Sequence, residues 1–114
     1  MYIDDVTRLK HMRDAASEAV AFAAGRERID LDTDRMLVLA LLKCIETMGE
    51  AAFKISRDFR DAHSAIPWRQ LIGIRNSLVH DYYDIDVDAV WATIQDDMPS
   101  LIISLDDLID HQDA

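Results

Sequence analysis

The sequence has one cysteine, Cys44, and a single cysteine excludes an intrachain disulfide. It lies in an apolar run, where a free thiol is most often a small core residue, which fits a reducing cytoplasm. Only three glycines and two prolines stand among 114 residues, too few for a turn-rich β-sandwich. The longest apolar run, MLVLALL at 36–42, is far short of the roughly 20 residues of a membrane-spanning helix. The N-terminal MYIDDVTRLK lacks a signal-peptide pattern. A cytoplasmic protein with no membrane contact is expected. Basic residues are missing from one whole segment: residues 84–114 hold nine aspartates and no lysine or arginine.

What remains is an apolar half with few helix breakers, and this favours an all-α chain forming a single domain over 1–114. Twelve bases against 22 acids give a net charge of −10, which on its face opposes a nucleic-acid partner. Residues 1–83, however, carry all twelve bases against thirteen acids, so the acidity belongs mainly to the C-terminal segment. A solvated helix face is the ordinary explanation for such a charge run.

Val6, Leu9, Met12, Ala16, Val20 and Ala23 recur at steps of three and four, predicting a first helix from near Ile3 to Ala24 that stops at Gly25. Leu37, Leu41, Ile45, Met48, Ala52, Ile55 and Phe59 predict a second over about 33–61, with acids and Thr33 supplying its first turn. Its first half is apolar around most of its circumference, so it belongs at the centre of the fold or in a dimer interface. Pro67 suits the first turn of a third helix with Trp68, Leu71, Ile74 and Leu78 as its stripe. Val87, Val90, Trp91, Ile94, Met98, Leu101, Leu105 and Leu108 predict a fourth, kinked or divided at Pro99. An antiparallel bundle of four to five helices follows.

RNSLVHDYY at 75–83 carries the chemistry. On one unbroken helix Arg75 and His80, five residues apart, point about 140° away from each other. Either the helix ends or loosens near His80, or two copies of the motif complete one site across a two-fold axis. Asn76 and His80, four apart, would share a helical face. These residue types suit metal-free phosphoryl chemistry: an imidazole moves a proton near neutral pH, and a guanidinium binds phosphate oxygens bidentately. RNA brings its own nucleophile, the 2′-hydroxyl, so no cofactor is required. Plainer readings stand beside this one: a structural histidine, a surface ion pair between Arg75 and a nearby Asp, and tyrosines that pack at a helix end. His11, His63 and His111 lack metal-ligand spacing, and DIDVD at 84–88 lacks the glycine of a calcium loop and suits a helix N-terminus instead.

IPWRQLIGIRNSLVHDYYDIDVDAVWATIQDDMPSLI, residues 66–102, closely resembles the C-terminal half of HepT-type proteins, the HEPN-domain toxins of toxin–antitoxin pairs with a minimal nucleotidyltransferase (MNT). The resemblance rests on RxxxxH at Arg75 to His80, HxY at His80 and Tyr82, PWR, IGIRN and DVDAVW, with IETMGEAAFKIS at 45–56 matching the second-helix GEA segment. It implies an all-α HEPN-like bundle that forms a homodimer with the two RxxxxH motifs lining a shared cleft. It implies a metal-independent endoribonuclease, the toxin of a type VII-like module, that arrests growth with Arg75 and His80 catalytic and Asn76 in support. The implied partner is a cognate MNT-type nucleotidyltransferase, which binds the toxin and transfers AMP from ATP to Tyr82, leaving Tyr83 to pack. An AMP group two residues from His80 would repel RNA and fill its cleft. For RNA, and not DNA, the expected cations are Arg69, Arg75, Lys43 and Lys54. The alternative is a catalytically silent HEPN module, nucleotide-binding or regulatory partner of a nucleotidyltransferase; a plain helical scaffold is a third reading.

Overall fold

The computed structural model describes residues 4–81 and 84–113. Helix α1 (Asp5–Ala23) starts where the Asp4 carboxylate accepts the Thr7 N–H at 2.8 Å. It ends at Ala24, and Gly25 turns the chain with φ +75°, a left-handed conformation that suits glycine. A short helix that the periodicity did not announce, α2 (Asp30–Thr33), leads to Asp34, whose carboxylate caps α3 (Arg35–Lys54) through the Leu37 N–H at 3.0 Å.

Helix α3 is the centre of the fold, packed along α1 and touched by α2 and by three of the short helices that follow. Four alanines, Ala15, Ala16, Ala19 and Ala23, line the buried face of α1, and small side chains let the two backbones approach. Leu9, Met12, Leu41, Ile45, Met48, Ile94, Met98 and Leu105 are fully buried in one cluster. Met36 and Leu39 on α3 stay exposed.

The predicted second helix is divided. Ile55 is extended (φ −70°, ψ 139°), and Ser56 caps α4 (Arg57–Ala62), its Oγ accepting the Phe59 N–H at 3.2 Å. The Asp5 carboxylate holds the break from the start of α1, accepting the Ser56 N–H at 2.9 Å and hydroxyl at 2.7 Å. Apolar periodicity runs through the interruption because Ile55 is itself buried.

The predicted third helix is divided too, into α5 (Trp68–Ile72) and α6 (Ile74–Leu78) with Gly73 between, and Pro67 sits just ahead of the first turn as the cap residue. The chain then forms β1 (Val79–Asp81), paired antiparallel with β2 (Asp84–Ile85). The aspartates before the fourth helix do serve its N-terminus: Asp86 caps α7 (Val87–Ala92) by accepting the Ala89 N–H at 3.0 Å. From α7 the backbone passes through a π-helical segment (Thr93–Asp97) into α8 (Met98–Asp113). The predicted irregularity thus falls one turn ahead of Pro99. Proline cannot bond back to the preceding turn and crowds its carbonyl, and a widened π turn there absorbs the mismatch. Among the described residues this is an all-α bundle with one minimal two-stranded sheet. No helix among the described residues is long and apolar enough to cross a membrane.

Candidate active site

The site is built where α3 meets α5 and α6. Gly49 makes that junction close: a Cβ placed there would lie 2.8 Å from the Leu71 carbonyl oxygen. With the elements this near, the Arg75 Nε–H on α6 donates to Glu46 Oε1 on α3 at 2.8 Å. Arg75 keeps 55% of its side chain exposed, against 24% for Glu46. The carboxylate therefore anchors one edge of the guanidinium, and the other N–H groups have no partner among the described residues.

Arg75 and Asn76 line a groove of about 360 Å³ together with Glu46, Glu50, Phe53 and Ile72. His80 stands beyond it. Helix α6 ends at Leu78, so His80 sits on β1, exposed, its ring without a partner among the described residues. The five-residue offset from Arg75 is therefore not helical. The expectation that Asn76 and His80 share a helical face is corrected by this early stop: Val79 is extended (φ −124°, ψ 110°), and a strand follows. Leu78 instead keeps the chain tied down, its carbonyl accepting the Asp86 N–H at 2.7 Å.

Tyr82 and Tyr83 lie outside the described residues. Arg69, on α5, lines a second groove that shares Phe53 and Ile72 with the first. Lys43 lines a different depression with His11, Glu18 and Cys44, between α1 and α3. Lys54 ends α3, exposed. Sequence reasoning missed Glu46, the carboxylate that Arg75 finds in place of a nearby Asp. Its signal was the row Glu46, Glu50, Phe53, four and three residues apart, on the flank of α3 beside the apolar stripe. Among the described residues no group of three or more His, Cys, Asp or Glu side chains is placed to hold a metal ion.

A helical bundle that fixes an arginine by a carboxylate and frees a histidine just past a helix end has the elements of a phosphoryl-transfer site. Residues 12–108 match the family described as HepT-like ribonuclease, and the chain belongs to that family. It is 30% identical over 100 residues to the "Probable ribonuclease HepT" of Thermococcus cleftensis, covering 88% of this chain and 86% of the relative. It is 28% identical over 88 residues to "Putative RNase MJ1380" of Methanocaldococcus jannaschii, covering 77% and 81% of the two chains. With "Putative RNase TTE0752" of Caldanaerobacter subterraneus it shares 29% over 93 residues, covering 82% and 83%. No solved structure matches the chain.

Proposed function

We propose that this chain is a metal-independent endoribonuclease, one HEPN domain over 1–114, acting in the cytoplasm as the toxin of a toxin–antitoxin module. The observation that carries the reading is the stop of α6 at Leu78, which puts His80 on an exposed strand while Glu46 orients Arg75. Arg75 grips the non-bridging oxygens of a phosphodiester. The 2′-hydroxyl gives up its proton to an imidazole and attacks phosphorus, the bond to the 5′ oxygen breaks, and that oxygen takes a proton. The products are a 2′,3′-cyclic phosphate and a 5′-hydroxyl.

Two proton transfers want two imidazoles, and a homodimer supplies them: His80 as base and the partner's His80 as acid, in a cleft shared by both motifs. The uncovered Met36 (82% exposed) and Leu39 (45%) on α3 support self-association. Asn76 helps hold the phosphate. A cognate nucleotidyltransferase binds the toxin and transfers AMP to Tyr82, placing a phosphate and a nucleotide two residues from His80. A second reading, a catalytically silent module that serves such an enzyme as nucleotide-binding or regulatory partner, is favoured by one feature: Glu46 and Glu50 bring two carboxylates into the groove that must take phosphate.

Expression of the protein alone tests the choice. Under the toxin reading the wild type slows growth and degrades RNA in the presence of a chelator, and folded Arg75→Ala and His80→Ala do neither. A folded His80→Ala that cleaves as fast as wild type removes His80 from the reaction. Incubation with the partner, ATP and Mg²⁺ should raise the intact mass by whole AMP units, with no rise in Tyr82→Phe. A rise that persists in Tyr82→Phe moves the modification, first of all to Tyr83.

A further inference from the structure

We infer that the groove between α4 and α5 carries single-stranded RNA onward from the Arg75 site, with Arg57, Arg60 and Arg69 binding backbone phosphates and Phe53 stacking a base at the junction. The inference rests on the ribonuclease reading above and extends it to residues that the motif does not include.

Charge is the first argument. Residues 53–80 carry five bases, Lys54, Arg57, Arg60, Arg69 and Arg75, against two acids, Asp58 and Asp61, a local balance of +3 in a chain of −10. Three arginines elsewhere are neutralised by neighbours: Arg13 by Asp14 and Asp106, Arg26 by Asp34, Arg28 by Asp32 and Asp88. Arg57, Arg60 and Arg69 have no acidic partner among the described residues, although Asp61 lines the same groove. Arg8 and Arg35 lack one as well, but neither lines this groove. Three cations left unpaired along one wall of an acidic protein concentrate positive potential where a polyanion can follow it.

Continuity is the second. This groove, about 610 Å³, shares Phe53 and Ile72 with the Arg75 groove, so a strand gripped at Arg75 meets it without leaving the surface. Arg60 is held against the fold, with its Nε shut away from solvent, and a guanidinium already restrained loses less freedom on binding. The third argument is Phe53, an aromatic ring 65% exposed on the ridge common to both grooves. A ring so placed has no core role, and base stacking on such a ring is tolerant of sequence and requires an unpaired base.

The test uses the full chain and a labelled single-stranded oligoribonucleotide, 2′-O-methylated so that it cannot be cut, alone and annealed to its complement. Binding is read by anisotropy across a salt series, and cleavage with the unmodified strand. Arg57→Gln and Arg69→Gln change exposed side chains and should fold. Each is expected to weaken single-strand binding roughly three- to tenfold at moderate salt and to lower the slope of log K against log salt by about 0.7, one phosphate contact apiece. Arg57→Lys should keep the slope, which a purely structural role for Arg57 would not predict. Phe53→Leu should weaken the single strand and leave the salt slope unchanged, and the duplex should bind less tightly than the single strand. In cleavage, KM should rise by more than kcat falls. If the wild type cuts RNA and Arg57→Gln and Arg69→Gln share its KM and salt slope, the groove assignment is overturned while the ribonuclease stands. If the wild type neither binds nor cuts RNA, the underlying reading fails. Substitutions that abolish capture of the nucleotidyltransferase and leave RNA binding untouched would make this a protein contact and overturn the proposal.

Discussion

Helices α1, α3 and α8 run for 19, 20 and 16 residues, whereas among the described residues between Ile55 and Asp86 no element exceeds the six residues of α4. The long helices hold most of the core and little candidate chemistry; the short pieces hold Arg69, Arg75, Asn76 and His80. A regular helix repeats one face every three or four residues, so residues five apart diverge on it. Breaking the chain at Ile55, Gly73 and Leu78 lets consecutive residues face new directions, and the long helices hold those fragments in place. Scaffold and site thus divide the work, and substitutions should separate stability from activity along the same line.

The sharpest separation is between Ile45 and His80. Ile45 is fully buried on α3, and Ile45→Ala should cost about 2–5 kcal/mol through lost contacts and a residual cavity. Activity should fall only as far as the folded fraction does. His80 is exposed on β1, so His80→Ala should leave stability within about 0.5 kcal/mol of wild type and abolish RNA cleavage. Urea denaturation with a cleavage assay on the same preparations measures both. A large stability loss in His80→Ala would erase the proposed division.

Gly49 sits on the seam between the two regions, and substitution there should disturb both. Its added methyl in Gly49→Ala meets the Leu71 carbonyl, a backbone atom that moves only if α5 moves. The expected loss is about 1–3 kcal/mol. Activity measured well below the unfolding transition should fall as well, because Arg75 rides on the segment that shifts away from Glu46. A stable variant with full activity would mean that the seam tolerates play.

The scaffold was far more legible in the sequence than the site, for the same physical reason. Leu9, Met12 and Ala16, or Leu37, Leu41 and Ile45, repeat because one face of a long helix meets one core, and the repeat marks the helix. The break at Ile55 left no such mark, since Ile55 is buried on both counts: as the next step of the pattern and as an extended residue. Ser56 with Asp58 in the first turn behind it was the available signal for a new helix start. The end of α6 depends on tertiary contacts, with Leu78 buried in the core cluster and its carbonyl taken by Asp86, and no local propensity states that. The Arg75 to His80 spacing left two ways to bring the pair together, an interrupted helix or a second copy of the chain, and a helix stop at Leu78 stands in the first of those places.

Glu46 offers a smaller effect that tests how the scaffold orients the site. Its ion pair with Arg75 is partly solvated, so neither Glu46→Gln nor Glu46→Ala should cost more than about 1 kcal/mol. Their kinetics should differ. Glutamine keeps an oxygen that can accept the Arg75 Nε–H and removes a charge that repels phosphate, so kcat should hold and KM should fall. Alanine removes the acceptor as well, leaving the guanidinium free to rotate, and kcat should drop several-fold below that of Glu46→Gln. Equal kcat in the two variants would show that Arg75 needs no orienting partner.

The gentlest probe is Cys44, which reports on the scaffold alone. Its side chain is buried on α3, and burial, with the Glu18 carboxylate in second place, pushes the thiol up to about 11. In the unfolded chain the thiol ionises nearer its ordinary value of 9.0, so between those values the unfolded state holds fewer protons than the folded one. Stability contributed by the neutral thiol is therefore intact below about pH 9 and declines as pH rises toward 11. Cys44→Ala should flatten that alkaline decline in a denaturation series. Below it, labelling of Cys44 by a thiol reagent is slow, because the thiolate is scarce and little of the side chain is exposed, and it quickens as the scaffold opens. Labelling should proceed at the wild-type rate in His80→Ala, whose change lies on the surface of the broken segment, and faster in Gly49→Ala by the factor that its lost stability adds to the opening equilibrium. Fast labelling in His80→Ala would tie the two regions together more tightly than their packing implies.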